Sequence, residues 1–308
     1  MRLLHLGNVV VDLVLTVDAL PVRGGDVLAS STTHAVGGGF NVMAAAARLG
    51  LPTQYCGVLG TGPFADQARA ALRAEGIESS GPVRPDLDTG FVVALVEPSG
   101  ERTFVTSPGA EATLTPDALP ETTPDDLVYL SGYSLLHPTN RATVVPWLAH
   151  TPATVFFDPG PLVADIPRAA LNTALTRTNW LSCNLPEARA LATHQDPHDA
   201  AETLLHDLPT GAGVLVRLGA GGCLVGERGR PVRLVDGFAV EAVDLNGAGD
   251  AHAGAFLAGL AYGKDALEAA WWANAAAALA VTRRGPATGP TRAELESFLR
   301  GRERPPRE

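Results

Sequence analysis

Residues 244–260 read DLNGAGDAHAGAFLAGL. Three small residues, Gly247, Ala248 and Gly249, stand before a long Ala/Leu/Gly stretch. The segment therefore predicts a tight turn opening into a helix over residues 249–262. Such a start presents backbone N–H groups at the positive end of the helix dipole, a ready place for an anion. Asp250, in the first turn, would stand beside that anion. If the anion is a transferring phosphoryl group, this carboxylate can accept the proton of an attacking hydroxyl. Taken alone, the same residues also read as an ordinary helix start with an acid against the dipole.

Upstream, short apolar runs alternate with Ala-rich stretches of helical spacing. Residues 3–6, 58–59, 127–130, 154–158, 180–183 and 213–218 read as strands. Residues 41–49, 64–75, 140–149, 186–192 and 199–205 read as helices. The alternation predicts an α/β fold, a doubly wound, mostly parallel sheet with helices on both faces. Two segments break the rhythm. Residues 89–97 and 101–106 form a hairpin pattern across Pro98-Ser99-Gly100, and 10–17 and 27–36 form a second strand pair. We read them as a small β-sheet lid, spanning roughly residues 10–36 and 88–107, on one domain of residues 1–308. Downstream, residues 266–282 and 292–300 continue the chain as helices.

Three further clusters carry chemistry. Gly37-Gly38-Gly39-Phe40-Asn41 precedes the helix VMAAAARLG, so the backbone there can approach a ligand closely. A flexible turn with Asn41 as a helix cap is the alternative. Asn184 and Glu187, three apart at a strand-to-helix junction, either hold a hydrated Mg²⁺ near phosphates or form a capping box. Leu218-Gly-Ala-Gly-Gly222 ends a strand and either cradles a nucleotide or turns a hairpin.

Composition bounds the function. The 308 residues are 46% hydrophobic and 18% charged, which excludes a disordered chain. A net charge of −10 and a single lysine, Lys264, leave no basic patch for nucleic acid. The only basic run is the tail GRERPPRE, read as a solvated terminus. The longest strongly apolar run, residues 269–281, is too short to span a bilayer. The N-terminus MRLLHLGNVVVDL reads as a mature strand, since no cleavage site follows. Cys56, Cys183 and Cys223 are odd in number, far apart and without metal-binding spacing. Cys56 and Cys223 sit in apolar runs and read as free buried thiols of a reducing, cytoplasmic compartment. An NAD-dependent oxidoreductase is disfavoured, because no GxGxxG opens the first βα unit.

Together the clusters resemble the ribokinase-like (PfkB) family of carbohydrate kinases, over the chain from Leu3 to about Leu299. The family's GGKGAN and ArLG appear here as VGGGFNVMAAAARLG, and its DTxGAGDxFxGAfl as DLNGAGDAHAGAFLAGL. NxxE and the strand-end LGxxG stand between them, and the late ANAAAALAVTRRGP resembles the family's adenine-side helix and loop.

The resemblance implies ATP-dependent phosphorylation of a sugar or sugar-like alcohol. By carry-over, Asp250 is the general base, and Gly247, Ala248 and Gly249 form the anion hole. Asp12, Gly37, Gly38 and Asn41 bind substrate. Asn184, Gly219, Gly222 and Asn274 lie along the nucleotide. Glu187 organises Mg²⁺ through water, and Asp244 with the loop 282–285 resembles the family's monovalent-cation site, usually K⁺. A homodimer through the lid is expected.

The sequence also departs from the pattern. Gly38 replaces Lys, Leu245 replaces Thr, His252 replaces Phe, and Ser131 stands where ribose-type members tend to have Glu. The segment GTGPFAD lacks the family's first Asp. These lie mostly on the substrate side and leave the sugar open. His252 reads as a packing residue. Arg48 reads as structural, and Arg23 and Arg102 as lid charges rather than ligands for a phosphosugar. A nucleoside acceptor would need an aromatic shelf, for which Phe40, Phe91 and Phe104 are candidates. A non-catalytic binding protein is the reading of another class, and the intact Asp250 argues against it.

Overall fold

The computed structural model describes residues 1–304. The last four residues of the basic tail therefore lie outside the described residues.

Five of the six apolar runs become strands of a nine-stranded sheet. Its strands are β1 (Arg2–His5), β4 (Thr53–Tyr55), β5 (Glu78–Ser79), β8 (Asp126–Ser131), β9 (Thr154–Asp158), β10 (Trp180–Asn184), β11 (Gly213–Arg217), β12 (Cys223–Glu227) and β13 (Arg233–Val235). Their order is β13-β12-β11-β10-β9-β8-β1-β4-β5. Pairing is parallel from β5 to β11, and antiparallel for β12 and β13.

Alternate strand residues bury on opposite faces. Leu127, Tyr129, Phe156, Leu215 and Cys223 pack with the helices α1 (Gly39–Arg48), α8 (Ala248–Ala261), α9 (Ala266–Val281) and α10 (Arg292–Leu299). Leu130, Val155, Phe157, Val214, Val216 and Leu224 face the other way. They pack with α3 (Gly132–Leu136), α4 (Pro138–Leu148), α5 (Arg168–Arg177), α6 (Leu185–Ala192) and α7 (Pro197–Asp207). Helix α2 (Pro63–Ala74) closes a smaller cluster with α1 and Tyr55. Burial on both faces is why these strands read as continuous apolar runs.

A separate four-stranded sheet, ordered β3-β2-β6-β7, contains β2 (Val9–Thr16), β3 (Ser31–Gly38), β6 (Phe91–Val96) and β7 (Arg102–Ser107). Both antiparallel pairs expected from the sequence form, and β2 joins them by pairing parallel to β6.

Some expectations shift. Residues 58–59 are not a strand: Leu59 makes one bridge to Val83, and the neighbouring strand is Thr53–Tyr55, whose polar TQY hides it from an apolar search. Strand β3 begins at Ser31, not at residue 27, and Leu28 is 89% exposed. Helix α5 was not foreseen, because it buries only Ala170 and Ala174. The three cysteines are free and buried. Among the described residues, no helix is long and apolar enough to cross a membrane.

Candidate active site

Parallel strands deliver their last residues to one edge, and in such sheets ligands bind outside the carboxyl ends. Here β1 ends on His5, β8 on Ser131, β9 on Asp158, β10 on Asn184 and β11 on Arg217. In register, Ser131 stands beside Asp158 and Asn184 beside Arg217.

The glycine turn sits at this edge. Gly247 is the N-cap of α8 with φ 74°, a conformation that favours glycine. A Cβ there would lie 1.8 Å from the Pro286 carbonyl oxygen. The first turn of α8 leaves N–H groups without intrahelical acceptors. Asp250 is the third residue of the helix, not its cap. Its Oδ2 accepts from Asn41 Nδ2 at 3.1 Å, a contact spanning 209 residues.

Small side chains explain how these two meet. A Cβ on Gly254 would lie 2.6 Å from the Val42 carbonyl oxygen and 2.8 Å from Ala45 Cβ, so α1 and α8 cross closely. Asn41 is likewise the third residue of its helix, not a cap. It is buried, and its Oδ1 has no partner. An unpaired buried acceptor beside a carboxylate suits a hydroxyl donor from a ligand.

Asp12, on β2, leans over Gly37. A Cβ at Gly37 would lie 2.3 Å from Asp12 Oδ2. Gly38 has φ 63°, so glycine suits the position where the resemblance expects Lys. Burial pushes both Asp12 and Asp250 up to about 6. The charge of Asp250 adds to the rise of Asp12, and Arg102 opposes it. For Asp250, the Asn41 hydrogen bond and Arg217 pull down, and Asp158 pushes up.

Asn184 and Glu187 form a full capping box. Asn184 Oδ1 accepts from Glu187 N–H at 2.9 Å, and Glu187 Oε2 accepts from Asn184 N–H at 2.8 Å. Glu187 also faces Arg217, with Nη2 3.5 Å from Oε2. Arg217 Nη1 donates to Asp158 Oδ2 at 3.0 Å and to Ser182 Oγ. Burial works against the Arg217 charge, but Asp158 and Glu187 keep it protonated. Its guanidinium also lies 3.6–3.8 Å from where a Gly249 Cβ would stand, directly under the turn.

Arg217 and Asp158 were not singled out in the sequence. Their signal was a charge closing a buried apolar run, VLVR and VFFD. Tyr133 was also missed. It is the second residue of α3, and its hydroxyl pKa is raised by burial and then by Asp250, Glu187, Asp158 and Asp12 around it.

The remaining expected residues divide. Gly219 is exposed with open space beside it, whereas Gly222 lets the β11–β12 hairpin touch the Val235 carbonyl. Asn274 is buried, and its Nδ2 donates to the carbonyls of Val235 and Asp236 at 2.9 and 3.1 Å. Its Oδ1 faces His252 Nε2 at 3.2 Å, so His252 packs inside the helix pair. The Asn274 side chain thus holds the 235–236 loop. Asp244 is ion-paired to Arg102 of the small sheet at 2.5 Å. Arg102 is therefore neither a solvated charge nor free for a substrate anion. Arg48 binds Glu75 and the carbonyls of Ala287 and Gly289, a structural part as expected.

The sequence pattern of the pfkB family carbohydrate kinases matches residues 2–293. The chain is a pfkB family carbohydrate kinase. It is 35% identical over 295 residues to the uncharacterized sugar kinase YegV of Escherichia coli, covering 94% of this chain and 91% of the relative. The solved ribokinase of Thermotoga maritima superposes with a TM-score of 0.85 at 27% identity, covering 98% of this chain and all of that one. A structure from E. coli that holds ATP and Mg²⁺ is 26% identical with a TM-score of 0.80, covering 97% of this chain and 98% of the other. The kinase therefore has the ribokinase-like fold, with its small sheet as the lid.

Proposed function

We propose that this kinase moves the γ-phosphoryl group of ATP to a hydroxyl of an unphosphorylated sugar, with Asp250 as general base. The observation that carries this is the Asn41–Asp250 contact beside the Gly247–Gly249 turn. It joins a base, an orphaned polar acceptor and an N–H cradle at one point. The substrate hydroxyl gives its proton to Asp250 Oδ, its oxygen forms the new P–O bond, and ADP leaves with the old one. The cradle binds the equatorial oxygens as charge spreads over them. Asp12 and Asn41 orient the sugar, and the lid keeps out water, the competing acceptor.

Among the described residues, no group of three His, Cys, Asp or Glu could hold a metal by itself. That fits Mg²⁺, which keeps several waters and arrives on phosphates. Glu187, whose carboxylate accepts from the Asn184 N–H and Nδ2 and lies 3.5 Å from Arg217, would organise such water from the strand ends. Arg217 balances these carboxylates, so that the nucleotide does not meet an uncompensated negative cluster. Gly219 borders the nucleotide side. Buried reduced thiols suit a cytoplasmic setting. The exposed apolar Val105 on edge strand β7 suits lid-to-lid pairing of two copies.

A nucleoside is the second reading, and Phe104 favours it. Register puts Asp12, Val92 and Thr106 in one row, and Ala94 with Phe104 in the next row of the same face. Phe104 is thus an aromatic surface on the lid face that carries Asp12. Phe40 is in the core, and Phe91 packs on Phe64. The test is ADP release with Mg²⁺-ATP against sugars, sugar acids and nucleosides, with Asp250→Asn as blank. Turnover that survives in the variant refutes the base.

A further inference from the structure

The resemblance puts a monovalent cation at Asp244 and the loop after α9. The residues present do not fit one. Asp244 Oδ1 accepts from Arg102 Nη2 at 2.5 Å and from Asn246 N–H at 2.9 Å, and Oδ2 accepts from Gly285 N–H at 3.1 Å. The pair is sheltered, with side-chain exposures of 24% and 17%. An added cation at this carboxylate would meet a guanidinium of like charge. Further along the same segment, the carbonyls of Ala287 and Gly289 accept from Arg48 Nη1 at 2.7 and 3.0 Å. Burial raises the Asp244 carboxyl, but the hydrogen bonds from Asn246, Gly285 and Arg102 outweigh it and hold it below the usual carboxylate range.

We propose that Arg102 is a built-in cation, carried by the lid to the place where the fold would otherwise use a bound K⁺. Its position makes the contact more than local neutralisation. Arg102 is the first residue of β7, at the far end of the lid hairpin from Thr106 and the Asp12 row. Asp244 lies three residues before Gly247, and it ties together the Asn246 and Gly285 backbones on either side of the turn. The pair spans 142 residues of sequence. Closing the lid and steadying the phosphoryl cradle are then one event. The idea rests on reading the Gly247–Asp250 turn as the phosphoryl site.

The test compares the parent kinase, Arg102→Ala and Arg102→Lys in K⁺, in Na⁺ and in choline buffers of equal ionic strength. Two readouts are needed, turnover and melting temperature in the absence of substrate. The parent should turn over equally in all three salts. Arg102→Ala should lose on the order of tenfold or more in choline, the scale of one charge-assisted hydrogen bond, and regain most of that in K⁺. Arg102→Lys should stay close to the parent. K⁺ should raise the melting temperature of Arg102→Ala over its value in choline, and leave that of the parent unchanged. A parent stimulated several-fold by K⁺ overturns the proposal, as does an Arg102→Ala that is fully active in choline or whose melting point ignores K⁺. The melting curves do not depend on turnover. If Asp250→Asn retained activity while K⁺ still stabilised only Arg102→Ala, the base assignment would fail and the built-in cation would stand.

Discussion

The carboxyl edge of the large sheet and the face of the lid are built on opposite terms. At the edge, Asp158 and Arg217 on two strand ends, Ser182 within the strand between them and Glu187 at a helix start are locked into one another. Their surroundings are buried on both sides of the sheet. The lid has four strands and a face that stays partly open, with Phe104 57% exposed and Val105 62% exposed. The edge can fix charge because nothing there moves without breaking core packing. On the proposed reading, the reaction type is set at the edge, and the substrate is chosen at the partly open face of the lid.

That division can be broken at five residues. The largest effect should come from Asp250→Asn, which should cut kcat by about 10²–10⁴-fold with nucleotide binding kept. The parent should lose activity as pH falls through about 6, because a protonated Asp250 accepts no proton. The same variant carries a stability signature. A carboxyl raised from 3.8 to about 6 by folding favours the native state below its unfolded value, and that advantage is lost as pH rises through 6. Asp250→Asn should therefore melt higher than the parent at pH 8 and closer to it at pH 4. An equal difference at both values would show that burial does not govern this carboxyl.

Arg217→Gln comes next. It should lower kcat by roughly 10²-fold, the scale of one lost electrostatic donor. It should also move the acid limb of the pH–rate profile upward, since Arg217 lowers the Asp250 pKa. Asp158→Asn should move that limb the other way. A merely structural Arg217 would leave the limb in place.

Asp12→Ala should act mainly on KM for the sugar, by about 5–150-fold, the scale of one lost buried polar contact. A KM equal to the parent's would remove Asp12 from the substrate site. Phe104→Ala is the smallest and most selective change. It should weaken a nucleoside acceptor several-fold and leave a simple sugar nearly untouched. Equal losses for both would return Phe104 to lid packing or to a contact between copies.

The legible parts of this molecule are those written in short stretches of chain. The turn at Gly247–Gly249 could be read because its glycine, its small neighbours and its acid are contiguous. The lid strands could be read from the break in the strand–helix rhythm and from Pro98-Ser99-Gly100. The capping box at Asn184–Glu187 was the plainer of two readings, and the geometry shows it formed, with Glu187 also facing Arg217. What stayed hidden has no local pattern. Arg217 and Asp158 are single residues whose meaning comes from strand register. Arg102 and Asp244 are joined only by the closure of one sheet over a loop. Thr53–Tyr55 escaped because a three-residue strand with a polar centre carries no periodic signal.

The close crossing of α1 and α8 bears on how the chain comes into being. Synthesis delivers residue 41 early and residue 250 near the end, and N-terminal segments fold first as the chain emerges. Until the first residues of the last fifth of the polypeptide have left the ribosome, Asn41 has no carboxylate to hold. On the proposed reading, a chain that stops before residue 250 could not turn over nucleotide: competence waits for α1 and α8 to meet.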